Sequence, residues 1–213
     1  MDSHPSTDSA ERILQAASRL FAERGFNGVS IRVIAAAVGL NVATVHYHAG
    51  SKRDLYLKVI GRLYEEERAL VEEFEQRAEE HTLQDPQAFG ELLTWLADRL
   101  VDLLVRDPGR PYLYMRRWLE ARDELSQAEA EYALDIFRRA RRVFANAQQA
   151  GVIRHDLDLG LFLRSFDWLT YGYFVSGPVD WRTWRGDPRD PSSLASFKAY
   201  LHDYLDRMLE VEK

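Results

Sequence analysis

The chain has 213 residues, of which 46% are hydrophobic and 29% charged, so it is long enough for a buried core and too apolar to be a disordered chain. The absence of cysteine excludes disulfides, thiolate metal sites and cysteine nucleophiles, and no apolar run approaches the roughly 18 residues that span a bilayer. The net charge of −6 is spread unevenly: residues 1–58 hold seven basic and five acidic side chains, a balance of +2, and the remainder carries −8. A mildly basic head on an acidic body suits a protein that presents one end to phosphates.

The opening MDSHPSTDS has no basic start followed by an apolar run. No secretory signal is therefore expected, and a cytoplasmic location is the default. Residues 1–8 read as a flexible tail. Asp8 and Glu11 have the spacing of a capping box. Ile13, Leu14, Ala17, Leu20 and Phe21 then line one helical face, Gly25 ends the helix, and Phe26 is expected to turn back into the core. Ser30 can cap a short second helix whose Ile34, Ala35 and Val38 face a core and which Gly39 terminates. Asn41 can cap a third, Val42 to His48. Ser51 and Asp54 show the Ser-x-x-acid start of a fourth at Lys52. Two short helices about a glycine turn form the pattern of a helix-turn-helix, whose second helix enters the DNA major groove. The same residues also fit two ordinary amphipathic helices of an all-α protein.

The helix beginning at Lys52 can support this small bundle through Leu55, Val59, Leu63, Leu70 and Phe74. Its far part, Glu65 to Glu80, is strongly acidic and reads as a solvated face with charge pairs along the helix. Residues 87–105 form a further helix stopped by Asp107-Pro108-Gly109, and residues 111–123 are aromatic-rich. Ser126 and Glu129 can cap a helix ended by Gly151. Residues 158–175 form the next helix. Gly177, Pro178, Gly186, Pro188 and Pro191 mark a loop before the last helix, 193–211. No alternating strand run and no internal repeat is visible.

In 158–175, Phe162, Leu163, Phe166, Leu169 and Tyr173 share one face, whereas Leu161, Trp168 and Gly172 lie on another. A helix apolar on two sides must be buried on two sides. A homodimer through helices 158–175 and 193–211 satisfies this. A fully buried central helix in a monomer would satisfy it too.

Residues 13–56 resemble the DNA-binding domain of TetR/AcrR-family repressors without a gap. The landmarks are Ala16-Ala17, Leu20-Phe21, Gly25, Ser30, Ile34-Ala35, Gly39, Tyr47-His48 and Ser51-Lys52. His46 stands where the family often has Tyr, Ala49 where Phe is common, and Asn41 replaces a frequent Ser. The resemblance implies an all-α fold. An N-terminal three-helix bundle with a helix-turn-helix, residues 9–54, would join a larger helical ligand-binding and dimerisation bundle, residues 55–213. It also implies a ligand-released homodimeric repressor on a palindromic double-stranded DNA operator, with no cofactor.

Val42, Ala43 and His46 fall within an arc of roughly 100° on a helix, and by family position they look into the groove. Val42 and Ala43 offer apolar contact suited to a thymine methyl, and His46 can donate to guanine N7 or O6 or contact a phosphate. By the same resemblance Ser30, Arg32, Thr44, Tyr47, His48 and Lys52 hold the DNA backbone. His46 and His48, two residues apart, point too far apart to share a metal ion. An effector pocket inside the body would draw its wall from Trp95, Tyr114, Met115, Trp118, Phe137, Phe166, Asp167 and Tyr171, which favours an apolar or aromatic molecule. Two rival readings stand beside this one. An enzyme is disfavoured because no phosphate-binding loop, H-E-x-x-H or nucleophile elbow occurs. The other is a helical dimer that has lost DNA binding and acts through a protein partner.

Overall fold

Apolar spacing and side-chain caps divide the chain into helices. The computed structural model describes residues 5–119 and 124–210, the side chains of 5–7 and 124–129 excepted. Among these residues the helices are α1 (Pro5–Arg24), α2 (Ile31–Val38), α3 (Val42–Ala49), α4 (Lys52–Arg77), α5 (Pro86–Arg106), α6 (Arg110–Leu119), α7 (Glu124–Gln149), α8 (Leu159–Ser176) and α9 (Pro191–Leu209). A small antiparallel hairpin, β1 (Val179–Asp180) with β2 (Trp184–Arg185), lies between α8 and α9. The architecture is all-α, as the sequence indicates. The hairpin escapes sequence reading because two-residue strands are too short to show alternation.

The described residues fall into two compact units, residues 1–65 with 112–132 and residues 66–111 with 133–213. In the first unit, Ile13, Ala17, Leu20 and Phe21 of α1 are buried with Ile34, Ala35 and Val38 of α2 and Val45 and Ala49 of α3. Leu55, Tyr56, Val59, Ile60 and Leu63 complete that core. Three short helices hold too little apolar surface alone, and these residues of α4 supply the rest. Tyr56 packs edge-on against Phe21 and Phe26, both at 5.0 Å between ring centroids. From α6, Arg116 donates to the carbonyls of Ala22 (3.0 Å) and Glu23 (2.8 Å), capping the last turn of α1.

Two local expectations are corrected here. α1 starts at Pro5, a favoured first helical residue, so Asp8 lies in the first turn and the Asp8–Glu11 capping box does not form. Glu11 instead meets Arg62 at 2.6 and 2.8 Å and the Gln15 amide. The expected tail is therefore helical from Pro5, and residues 1–4 lie outside the described residues. The Ser126–Glu129 cap likewise falls on side chains outside the described residues, in a helix whose backbone begins at Glu124.

In the second unit, Phe74, Phe89, Phe144, Phe162 and Phe174 are buried in one aromatic core, joined by Phe197, Leu201 and Leu205 of α9. Asp85, Asp158 and Asp190 cap α5, α8 and α9 by accepting backbone N–H groups. The acidic stretch does more than face water. Arg68–Glu72 and Arg77–Glu73 pair along the helix, as expected. Glu75, however, receives Arg139 (2.9 Å) and Arg142 (2.6 Å) from α7, and Glu66 and Glu67 face the fully buried Arg110.

Candidate nucleic-acid interface

Three adjoining elements of the first unit, α2, the turn and α3, are fixed by their ends. Ser30 accepts from Val33 N (3.3 Å), starting α2. Gly39 sits at φ 69, where only glycine is unstrained, with Gly39 N bonded to Ala36 O and Leu40 N to Ala35 O. That pair of bonds is a Schellman motif. Asn41 accepts from Thr44 N (2.8 Å) and from the Thr44 hydroxyl (3.0 Å), starting α3. Ser51 and Asp54 form the expected reciprocal box, 2.8 Å one way and 3.1 Å the other.

α3 is two-faced. Val45 and Ala49 are buried, and the opposite side exposes Val42, Ala43, His46 and Tyr47, the last 84% exposed. The small Ala49 seats fully under α3. The carbonyls of His48 and Ala49 are covered by Lys58, whose Nζ lies 3.3 Å from each.

The predicted site residues separate by how their polar atoms are used. Ser30, Arg32, Val42, Ala43, His46 and Tyr47 are exposed, and Thr44 and His48 are half-buried. Thr44 spends its hydroxyl on Asn41. His48 packs edge-on to Tyr47 at 5.1 Å. Lys52 is half-buried, donates to Phe26 O (3.0 Å) and lies over the Phe26 ring at 4.1 Å. One of its three donors is thus committed to the fold. The His46 ring lies 2.9 Å through Nδ1 from Gly50 O. A carbonyl only accepts, so Nδ1 carries a proton, and a neutral ring in this tautomer would present Nε2 as an acceptor. Gly50 permits this turn, because a Cβ there would lie 2.7 Å from an Asp54 carboxylate oxygen.

Sequence reasoning missed three residues at this end. Arg12 donates to Val38 O (2.8 Å), Lys58 caps α3 and Arg116 caps α1. Each contact is long-range or reaches a carbonyl, and neither leaves a periodic signal.

The proposed pocket residues are divided between the two units. Tyr114, Met115 and Trp118 belong to the first unit, where Tyr114 stacks edge-on with Tyr64 (5.3 Å) and Trp118 (6.5 Å). Trp95 lies beneath the Arg77 guanidinium at 4.4 Å. Phe137, Phe166, Asp167 and Tyr171 sit in the second unit, with Arg164 over Phe137 at 4.6 Å and 3.7 Å from Asp167. Tyr171 donates to Glu67, which also faces Arg110. Burial pushes the Asp167 carboxyl up to about 7, Glu67 adds to the rise, and Arg164 opposes it. Burial, followed by Glu67, also raises the Tyr171 hydroxyl well above its ordinary value. Among the described residues no cluster of His, Asp and Glu could hold a metal ion, and no helix is long and apolar enough to cross a membrane.

Residues 13–59 match the model of bacterial regulatory proteins, tetR family. The chain is 28% identical over 123 residues to the HTH-type transcriptional repressor AcnR of Corynebacterium diphtheriae, a match covering 57% of this chain and 61% of that one. It thus spans about three fifths of the length of the curated relatives it matches. Among solved structures it resembles the ketosteroid transcriptional regulator KstR2 of Mycobacterium tuberculosis (17% identity, 100% of this chain and 98% of that, TM-score 0.70). It also resembles the TetR family transcriptional regulator PfmR of Thermus thermophilus (20% identity, 95% and 99%, TM-score 0.66). The capped α2–turn–α3 element lies within the residues that match the tetR family model, and the chain shares the fold of these solved regulators.

Proposed function

We propose that this chain is a DNA-binding transcriptional repressor that acts as a homodimer on a palindromic operator and is released by a small effector. The observation that carries this is the division of α3 into a locked underside, Val45 and Ala49, and an outward face with Val42, Ala43, His46 and Tyr47 open to a ligand the width of a major groove. Val42 and Ala43 meet thymine methyls. The neutral His46 ring, accepting through Nε2, pairs with an adenine or cytosine amino group rather than with guanine, and only the imidazolium donates there. Ser30, Arg32, Thr44, Tyr47, His48 and Lys52 hold phosphates, Lys52 with the donors that Phe26 leaves over. Pairing of α8 and α9 with a second copy covers Leu161, Trp168 and Tyr200, which are exposed in the single chain. The effector is an apolar or aromatic molecule held near Phe137, Phe166, Asp167 and Tyr171, and it must favour the arrangement that does not bind DNA.

Selection from random duplexes, followed by gel shifts at two salt concentrations, tests this reading. Two-fold symmetric half-sites about 34 Å apart are expected. His46→Ala should relax preference at one position in each half-site. Retention of every duplex alike at low salt, or an unchanged preference in the variant, would overturn the assignment.

A further inference from the structure

The hairpin between α8 and α9 holds the two most conspicuous unburied side chains of the second unit: Trp181 is 94% exposed and Trp184 73%. It is a built structure. Val179 pairs with Arg185 and Asp180 with Trp184. Asp180 accepts from Arg182 N (2.7 Å) and Thr183 N (3.1 Å), and Gly186 N donates to Pro178 O (2.9 Å). At Gly177, φ 73, a Cβ would fall 2.4 Å from Gly186 O, so only glycine lets the two legs close. Trp184 itself sits at φ 74, a conformation that costs energy for a bulky residue and marks functional positions. A loop that uses glycine and strain to fix two tryptophans in water is prepared for a partner surface.

We propose that this hairpin is an arm that crosses a two-fold axis and seats Trp181 and Trp184 on the N-terminal end of α8, around Leu161, in a second copy of this chain. The inference rests on the dimer reading above. Leu161 (71% exposed) and Trp168 (58% exposed) are seven residues apart, hence on one stripe of α8. Trp168 lies at the middle of α8, a helix about 27 Å long. A two-fold axis that crosses α8 at right angles at that point sets the two copies antiparallel. The C-terminal end of one, which leads into the hairpin, then lies beside the N-terminal end of the other. There Gly160 leaves the backbone bare next to Leu161: only the Asp158 carboxylate lies within 4 Å of a Cβ built on it, at 3.2 Å. The two tryptophans offer about 400 Å², half of the roughly 800 Å² that each partner buries in a stable interface. Trp168 on the same stripe of α8 and Tyr200 on α9 are further exposed large side chains, and Arg182 and Arg185 supply a polar rim.

The chain contains no cysteine, so introduced thiols report without background. Leu161→Cys and Thr183→Cys are prepared as separate full-length proteins, mixed to exchange subunits and oxidised. A disulfide-linked heterodimer is expected from the mixture and not from either protein alone. Trp168→Cys should link to itself across the axis. Self-linking of Trp168→Cys without the mixed product overturns the arm and leaves the dimer standing. A monomer by sedimentation at all concentrations overturns both. The double variant Trp181→Ala/Trp184→Ala, whose side chains support no core, should weaken dimerisation at least about 100-fold while its helical circular dichroism stays that of the parent. An unchanged dimer would also refute the arm.

Discussion

The two units use their cations in opposite ways. In the first, apart from Arg62, which meets the Glu11 carboxylate, cations reach for carbonyl oxygens: Arg12 for Val38, Lys52 for Phe26, Lys58 for His48 and Ala49, Arg116 for Ala22 and Glu23. In the second, they meet carboxylates: Arg110 with Glu66 and Glu67, Arg139 and Arg142 with Glu75, Lys198 with Asp102. A carbonyl satisfies a donor without cancelling its charge, whereas a carboxylate does both. The first unit thereby closes its helix ends with cations whose charge is not cancelled where they stand. The second spends its charge internally. An excess of only +2 in residues 1–58 is therefore more effective than its size indicates.

The sharpest way to break this contrast is Arg110→Met. Arg110 is fully buried and faces Glu66, Glu67 and Asp107. Removing it takes this cation away from Glu67, which is only 12% exposed. A loss of about 3–5 kcal/mol in urea unfolding is expected. A loss under 1 kcal/mol would mean that the network is no more than a surface pair.

Asp167 gives the next effect, and its sign is fixed. An unfolded Asp ionises near pH 4, but burial holds the folded carboxyl at about 7. Between those values the folded state binds more protons, so stability falls as pH rises through this window. The penalty is absent below pH 4 and complete above 7. Asp167→Asn removes it, so the stability of the variant relative to the parent should rise by up to about 4 kcal/mol from pH 4 to pH 7.5. A flat difference across that range would show that Asp167 ionises normally.

The helices were legible in the sequence because spacing, Ser30, Gly39, Asn41 and the Ser51–Asp54 box are local signals, and the structure reproduces each one. The outward face of α3 was legible for the same reason. What was hidden is long-range. Arg116 lies more than 90 residues from the carbonyls it caps, and Glu67 is 104 residues from Tyr171. Reading Glu65 to Glu80 as a solvated face failed at Glu66, Glu67 and Glu75 because their partners stand on other helices. The choice of His46 was visible in sequence. Its tautomer was not, since Gly50 O enters only with the turn that follows α3.

The smallest effect on stability is the most direct probe of the contrast. Lys58→Gln keeps an amide donor that can reach the His48 and Ala49 carbonyls and removes the charge. If Lys58 matters only as a cap, neither stability nor DNA binding will change. If the first unit parks cations on carbonyls to keep their charge available, stability will shift by less than about 0.5 kcal/mol. The dependence of log affinity on log salt will meanwhile become shallower by up to about one unit, equally for specific and random duplexes. The same substitution on the other unit, Arg142→Gln opposite Glu75, should leave the salt dependence of DNA binding untouched, because that charge is already cancelled where it stands.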